Sequence, residues 1–230
     1  MCSHVLFIRG GVAIVAGLLL GAVAGGCGGS GPGTSTTTVS ASADGCWVVN
    51  LGVSPPSSLL VPSDPVWAIS VGDTSSNLWT VGYVRFDLAA LQAALPSGAS
   101  ITAARLVLTK FSVTGQPFTS IGTDHDIHVD HALFTTPSVA PGDWSSLAPG
   151  GLDVALLAGG TDTATTQAFS VDVTASLLAD LAAARAYSDY KLRIPTPTNG
   201  NGVNDLARVN DLEGHLGSTD TPALVVTHSP

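Results

Sequence analysis

Residues 124–131 (DHDIHVDH) form the densest cluster of ionisable side chains in the sequence. Successive side chains on a β-strand point to opposite faces, so a strand here would carry one wholly polar face: Asp124, Asp126, His128 and Asp130. Carboxylates and imidazoles two residues apart on a strand could bind a zinc-like ion. Because the sequence assigns no third or fourth ligand, we predict a solvated strand face and no metal ligands. On the opposite face, His125 and His131 are predicted to be half-buried.

A second polar segment, residues 199–213, is rich in side-chain oxygen atoms: Asn199, Asn201, Asn204, Asp205, Asn210, Asp211 and Glu213. Such oxygen atoms suit calcium, but the twelve-residue calcium-binding loop signature is absent. Turn formation by Asn and Gly explains the same composition. The sequence therefore leaves a structural calcium ion open as a cofactor and names no ligands for it.

Catalytic motifs are missing from the sequence: it contains no GxSxG, HExxH or P-loop pattern. Glu213 is the only glutamate, so a carboxylate pair for glycoside cleavage would have to be chosen arbitrarily among the aspartates. We therefore predict that the protein is not an enzyme. A polysaccharide hydrolase or lyase of the sandwich type is the alternative.

A count of strand parity gives the candidate ligand-binding residues. Where Phe86 and Leu88 point inward, Tyr83 and Arg85 point outward. The same count on two other predicted strands completes the outward set: Tyr83, Arg85, Arg105, Lys191 and Arg193. A tyrosine ring can stack on a sugar, and a guanidinium can bind a carboxylate through two hydrogen bonds. We expect a groove for an acidic polysaccharide, such as a uronate polymer; the alternative is that these cations pair with neighbouring aspartates, as Arg85 would with a cross-strand carboxylate.

Strand patterns dominate the elements that must position these residues. Alternating or continuous apolar runs bounded by turn residues predict strands at 66–71, 79–88, 101–111, 125–134, 167–173, 188–194 and 223–228, with weaker signals at 46–51 and 206–210. One helix is predicted at 175–186 after Thr174 as N-cap, with Leu177 and Leu181 facing the core, and a helical turn or two at 89–95. The fold class expected is all-β: an antiparallel two-sheet sandwich, jelly-roll-like, with one or two short helical excursions.

Three blocks of sequence resemble DNRLRE domains, which are grouped with carbohydrate-binding module family 96. Residues 84–88 (VRFDL) and 95–108 (LPSGASITAARLVL) resemble one block, 170–174 (SVDVT) a second, and 210–213 (NDLE) with 222–227 (PALVVT) the closing one. The blocks follow each other in the family's order. The resemblance implies an extracellular β-sandwich that is associated with polysaccharide and is not itself catalytic.

The N-terminal residues are typical of an exported protein. Arg9 precedes an apolar run at 10–24, which is short for a spanning helix of about 20 residues, and AGGC at 24–27 resembles a lipoprotein lipobox. This resemblance implies cleavage before Cys27 and its diacylation. We predict a signal peptide at 1–26, a flexible Gly/Ser/Thr linker at 27–44 and a β-sandwich domain at 45–230. Cys46 is either a packed thiol or, if Cys27 is not acylated, its disulfide partner.

Composition narrows the range of partners for this 230-residue chain. Its formal net charge of −9 and 11% of charged residues exclude the basic stripe that nucleic-acid binding requires. We expect contact with the membrane only through the lipid anchor, at the cell envelope or cell surface. Polysaccharide is the predicted partner, and a structural or adhesive surface domain that binds a protein is the alternative.

Overall fold

The computed structural model of the chain describes residues 33–62, 68–121, 126–212 and 220–230. The predicted signal peptide, Cys27, Asp124, His125 and Glu213 lie outside these described residues. The strands are β1 Ser35–Ser40, β2 Ala43–Asn50, β3 Ser57–Pro62, β4 Ile69–Asp73, β5 Trp79–Asp87, β6 Ser100–Thr114, β7 Ile127–Ala132, β8 Ala155–Leu157, β9 Gln167–Asp172, β10 Tyr187–Arg193, β11 Asp205–Val209 and β12 Ala223–Ser229. The α-helices are α1 Leu88–Ala94 and α2 Thr174–Ala182, and single turns of π- and 3-10 helix lie at Pro117–Ile121 and Pro141–Ser145.

The strands form one curled antiparallel sheet. Its hydrogen-bonded order is β1-β12-β6-β11-β4-β5-β10-β7-β8, while β2 pairs with β3 and β5, and β9 pairs with β6. The structure confirms the predicted all-β sandwich with short helical excursions. No helix within the described residues is long and apolar enough to cross a membrane.

The main core lies where the strand patterns predicted it. Phe86, Leu106 and Leu108 are fully buried, and Leu177 of α2 packs into the same cluster. Leu181 is half-buried against it. The parity assigned to β5 and β6 is therefore correct, and it fixes which side chains point to the opposite face of each strand.

The predicted linker at 27–44 is wrong in its second half. Residues 35–40 form β1, which pairs with β12 in antiparallel register, and β2 begins at Ala43. Val39 is half-buried against the core. The β-branched threonines of β1 suit a strand. Thr37 and Val39 are its half-buried residues, but the polar, low-complexity residues around them hide this alternation in the sequence. The described residues from 33 onwards belong to one compact unit, so the domain begins before residue 45.

The helix predicted at 175–186 begins at Thr174 and ends at Ala182, and Val173 rather than Thr174 is its N-cap. The carboxylate of Asp172 accepts a hydrogen bond from the backbone N–H of Thr174 at 2.8 Å, which satisfies one of the free donors at this helix end. Ala184 adopts a left-handed conformation with φ 51°, so the chain leaves the helix before residue 186. The turn predicted at 89–95 is α1, capped by Oδ1 of Asp87.

Candidate functional site

Four of the five predicted ligand-binding residues lie on one face of two neighbouring strands. Lys191 of β10 lies opposite Tyr83 of β5 in register, and Arg85 and Arg193 share that face with them. Arg105 does not join them: it is exposed on β6, where its Nε donates to Oγ of Ser170 at 2.7 Å. The five residues therefore do not form one groove.

The shared face of β5 and β10 is covered rather than open to solvent. Tyr83 packs in a second apolar cluster with Trp47 and Phe134, and only 2% of Arg85 is exposed. The indole N–H of Trp47 donates to the backbone carbonyl of Ala140 at 3.1 Å, which holds the chain between β7 and β8 against this face. The expectation of an outward groove is wrong because β5 is buried on both faces.

Arg85 uses every hydrogen-bond donor of its guanidinium within the protein. Nε and Nη2 donate to the two carboxylate oxygens of Asp189 at 2.7 and 3.1 Å. Nη1 donates to the carbonyls of Thr135 and Pro137, and Nη2 also donates to Thr135. A guanidinium has five N–H groups, so none is left for the carboxylate of a ligand. Asp189 is the cross-strand partner of Arg85, and the pairing left open as the alternative is the one that the structure contains.

Lys191 and Arg193 are also occupied. Nζ of Lys191 donates to the carbonyl of Trp144 at 3.1 Å, and Nε of Arg193 donates to Asp130 at 2.8 Å. Asp130 is buried, so the predicted solvated face of β7 is wrong at this residue. Burial lowers the pKa of Lys191 to about 8, with Asp130 acting in the opposite direction.

A cleft of about 410 Å³ adjoins the covered face. We call it the tyrosine cleft, and define it by Ser42, Tyr83, Arg85, Asp87, Ser138 and Tyr187. Cζ of Arg85 lies 4.3 Å from the centroid of the Tyr187 ring. The guanidinium, whose donors are all used, therefore packs against this ring and helps to hold it in place. The cleft therefore combines fixed aromatic rings with hydroxyl and carboxylate groups.

A larger cleft of about 720 Å³ contains a different chemistry. We call it the histidine cleft, and define it by His131, Val154, Asp172, Thr174, Ser176 and Leu178. Nε2 of His131 lies 2.9 Å from both carboxylate oxygens of Asp180. Asp180 is fully buried and also accepts from Nη1 of Arg185. No hydrogen bond of Nδ1 of His131 is present in the described part of the chain.

The His131–Asp180 pair was not found from the sequence, although a signal exists. Asp180 lies three residues after Leu177, on the inward stripe of α2. A carboxylate on an apolar helix face needs a partner in the interior. An imidazole held by a carboxylate can accept a proton, but no hydrogen bond joins it to Ser176 in the described structure. Within the described residues, His131 and Ser176 therefore do not form a hydrogen-bonded pair.

Comparison with known proteins adds no relative. The chain matches no protein-family model, and no curated protein matches it.

Proposed function

We propose that this protein is a non-catalytic carbohydrate-binding β-sandwich whose polysaccharide ligand lies in the tyrosine cleft. One observation carries the proposal: two tyrosines, a carboxylate and two serines converge on a single cleft beside a rigid sheet. Ligand sites commonly combine an apolar or aromatic lining with a few fixed polar groups. A sugar ring presents one apolar face and a rim of hydroxyls, which match Tyr187 on one side and Asp87 and Ser138 on the other.

Asp87 is suited to a sugar hydroxyl because its two oxygens have different roles. Oδ1 accepts from the backbone N–H groups of Ala89 and Ala90 at the start of α1. These bonds fix the carboxylate, and Oδ2 accepts no hydrogen bond from the described residues. A fixed acceptor binds a hydroxyl at little entropic cost.

The expectation that the polysaccharide is acidic loses its main support. It depended on guanidinium N–H groups that already donate to groups of the protein itself. Arg85 supports the ring of Tyr187 and does not bind the sugar. In our proposal, stacking and hydrogen bonding recognise the ligand, so binding should depend little on salt. Acidic and neutral polysaccharides are both arms of the test.

The test measures retardation of the purified chain by neutral and by uronate-containing polysaccharides in native affinity gels. Tyr187→Ala removes the supported ring and should weaken binding about tenfold, the equivalent of about 1.4 kcal/mol. Arg105→Ala, on a surface away from the cleft, is the matched control and should bind as the wild type does. Binding that Tyr187→Ala leaves intact, or that only Arg105→Ala weakens, would overturn the placement of the site.

The proposal includes export and attachment by a lipid on Cys27. It rests on the apolar run ending at AGGC and the polar residues that follow. Metabolic labelling with a palmitate analogue should mark the wild type, and Cys27→Ala should lose the label. Equal labelling of both proteins would refute the anchor without affecting the cleft.

A protein-binding surface is the second candidate function, and one observation favours it. Strand β3 pairs only with β2 among the described strands, and its Leu59 is 65% exposed. An unpaired strand edge can pair with another chain. If the chain binds neither neutral nor acidic polysaccharide, carbohydrate binding is refuted and this surface becomes the leading candidate.

A further inference from the structure

The histidine cleft has an unused imidazole nitrogen in its wall. His131 is only 4% exposed, and it lines a cleft of about 720 Å³, a size that suits a small ligand. Its Nε2 lies against the carboxylate of Asp180, whereas its Nδ1 has no hydrogen-bond partner in the described structure. Nδ1 does not belong to the fully buried polar atoms that lack a partner, so it retains contact with solvent. A ligand in the cleft can supply the missing hydrogen bond.

The contacts of His131 determine what Nδ1 can bind. Because Nε2 lies 2.9 Å from both carboxylate oxygens of Asp180, we assign the imidazole proton to Nε2. In the neutral ring, Nδ1 is then a hydrogen-bond acceptor. The backbone N–H of His131 donates to the carbonyl of Gly151 at 2.7 Å, and its carbonyl accepts from the N–H of Ala148 at 3.0 Å. The acceptor is therefore fixed, so a ligand N–H binds to it at little entropic cost.

Helix α2 presents hydrogen-bond donors to the same cleft. Ala175 and Ser176 of its first turn line the cleft. The first hydrogen bond of the helix runs from the N–H of Leu177 to the carbonyl of Val173 at 3.0 Å, so the N–H groups of Ala175 and Ser176 have no partner among the described residues. Oγ of Ser176, a residue that is 5% exposed, has none there either. The cleft thus contains donors as well as the acceptor of His131.

The charges around the cleft disfavour small ions of either sign. Asp172 is exposed and borders the cleft, and its Oδ1 accepts from the backbone N–H of Thr174 at 2.8 Å. Hydrogen bonds from Thr174 keep the pKa of Asp172 below its ordinary value, so this carboxylate stays charged and repels an anion. The N-terminal end of α2 carries a partial positive charge, which repels a cation. A neutral ligand with both a donor and an acceptor avoids both repulsions.

Part of the lining is apolar and can accept a methyl group. Val154, Leu178 and Ala179 border the cleft, and Leu178 is 42% exposed. A methyl group placed against them would bury apolar surface. An acetylated secondary amide has all three features that the lining requires: a carbonyl acceptor, an N–H donor and a methyl group. A hydroxyl group has the donor and the acceptor but leaves the apolar lining uncovered.

We propose that the histidine cleft binds an N-acetylated sugar through its acetamido group. The acetamido carbonyl accepts from the first turn of α2, its N–H donates to Nδ1 of His131, and its methyl group packs against Leu178. The neighbouring sugar hydroxyls donate to the carboxylate of Asp172, which an acetylated lysine side chain cannot do. The two clefts share no lining residue, so this site goes beyond the proposed function and does not depend on it.

The test is a heteronuclear NMR titration of the purified, isotope-labelled chain with the methyl glycoside of N-acetylglucosamine. The amides of Ala175 and Ser176 should shift saturably. The methyl glycosides of glucose and of glucosamine carry a hydroxyl and an ammonium group in place of the acetamido group, and each should bind at least tenfold more weakly. Acetyl-lysine amide should also bind at least tenfold more weakly. Equal binding of glucoside or glucosaminide would overturn the acetamido assignment, and equal binding of acetyl-lysine amide would overturn the sugar.

Two variants and one control test the contacts. His131→Phe keeps a planar ring but removes Nδ1, and it should weaken binding at least tenfold. In case it does not fold, Leu178→Asn changes an exposed contact and should bind several-fold more weakly. Val203→Asn, at a similarly exposed position outside both clefts, should bind as the wild type does.

Unchanged binding by Leu178→Asn, or no shift of the wild type with the acetylated sugar, would overturn this proposal. If polysaccharides without acetamido groups still bind in the tyrosine cleft, that result refutes the histidine cleft alone. Shifts at Ala175 and Ser176 in a chain that binds no such polysaccharide would refute only the proposed function.

Discussion

The tyrosine cleft and the histidine cleft each contain an ionisable side chain held by a buried aspartate, yet they differ in what that side chain can still bind. Arg85 donates all five of its N–H groups to Asp189 and to backbone carbonyls. His131 binds Asp180 through Nε2 alone. The number of donors and acceptors still available, not the presence of a charge, therefore decides whether a residue can bind a ligand.

The difference also separates the roles of the two clefts. In the tyrosine cleft, the charged group is structural, and the half-buried ring of Tyr187 is the aromatic surface that a ligand can contact. In the histidine cleft, the defining residues include no Phe, Tyr or Trp ring, but one nitrogen of the His131 imidazole remains available. The first arrangement suits a sugar ring, and the second suits a small polar group.

The largest effect should come from removing Arg85. Arg85→Met leaves the buried carboxylate of Asp189 and two carbonyls without their donor, which should cost about 3–5 kcal/mol of unfolding free energy. Urea denaturation measures it. Arg105→Met, at an exposed position, should cost less than about 1 kcal/mol. Equal costs would show that Arg85 is not the structural clamp described here.

A smaller effect should follow in the histidine cleft. Asp180→Asn keeps the shape of the side chain but removes the charge shared by His131 and Arg185, so we expect a loss of about 1–3 kcal/mol. Asp220→Asn, on the surface, serves as the control in the same denaturation series. A neutral result for Asp180→Asn would mean that the pair with His131 contributes nothing to the fold.

The smallest effect is a change in the pH dependence of stability. The pKa of Lys191 is lowered to about 8 by burial, whereas an unfolded lysine titrates near about 10.4. Between these values the unfolded chain binds more protons, so the free energy of unfolding should rise with pH. The free energy of unfolding of the wild type, relative to that of Lys191→Met, should therefore rise from pH 8 towards pH 10. A constant difference would contradict the buried position of Lys191.

Sequence patterns predicted the inward side chains of single strands well. Phe86 and Leu108 are buried where alternation placed them, because a strand has a fixed period of two. The same count put Tyr83 on the opposite face correctly but could not show that this face is covered. The covering chain between β7 and β8 has no periodicity, and its contact with Trp47 spans 93 positions.

Both clefts also depend on long-range contacts that composition cannot reveal. Arg85 meets Asp189 only through the register of β5 with β10, and His131 meets Asp180, which lies 49 positions later in the chain. For the latter, a charged residue on the apolar stripe of α2 was an available signal. Arg85 and Arg105 each precede an inward apolar residue, so the sequence does not distinguish them. Only the strand order shows that Arg85 is buried and Arg105 exposed.

The most direct test of the central claim is to map the contact surface of bound sugar by heteronuclear NMR. Fragments of neutral and of uronate-containing polysaccharides would be titrated into the purified, isotope-labelled chain. The account predicts saturable shifts at the amides of Ser42, Asp87 and Tyr187, with Thr174 and Ser176 of the histidine cleft unchanged. Shifts confined to the histidine cleft, or none with any fragment, would contradict it.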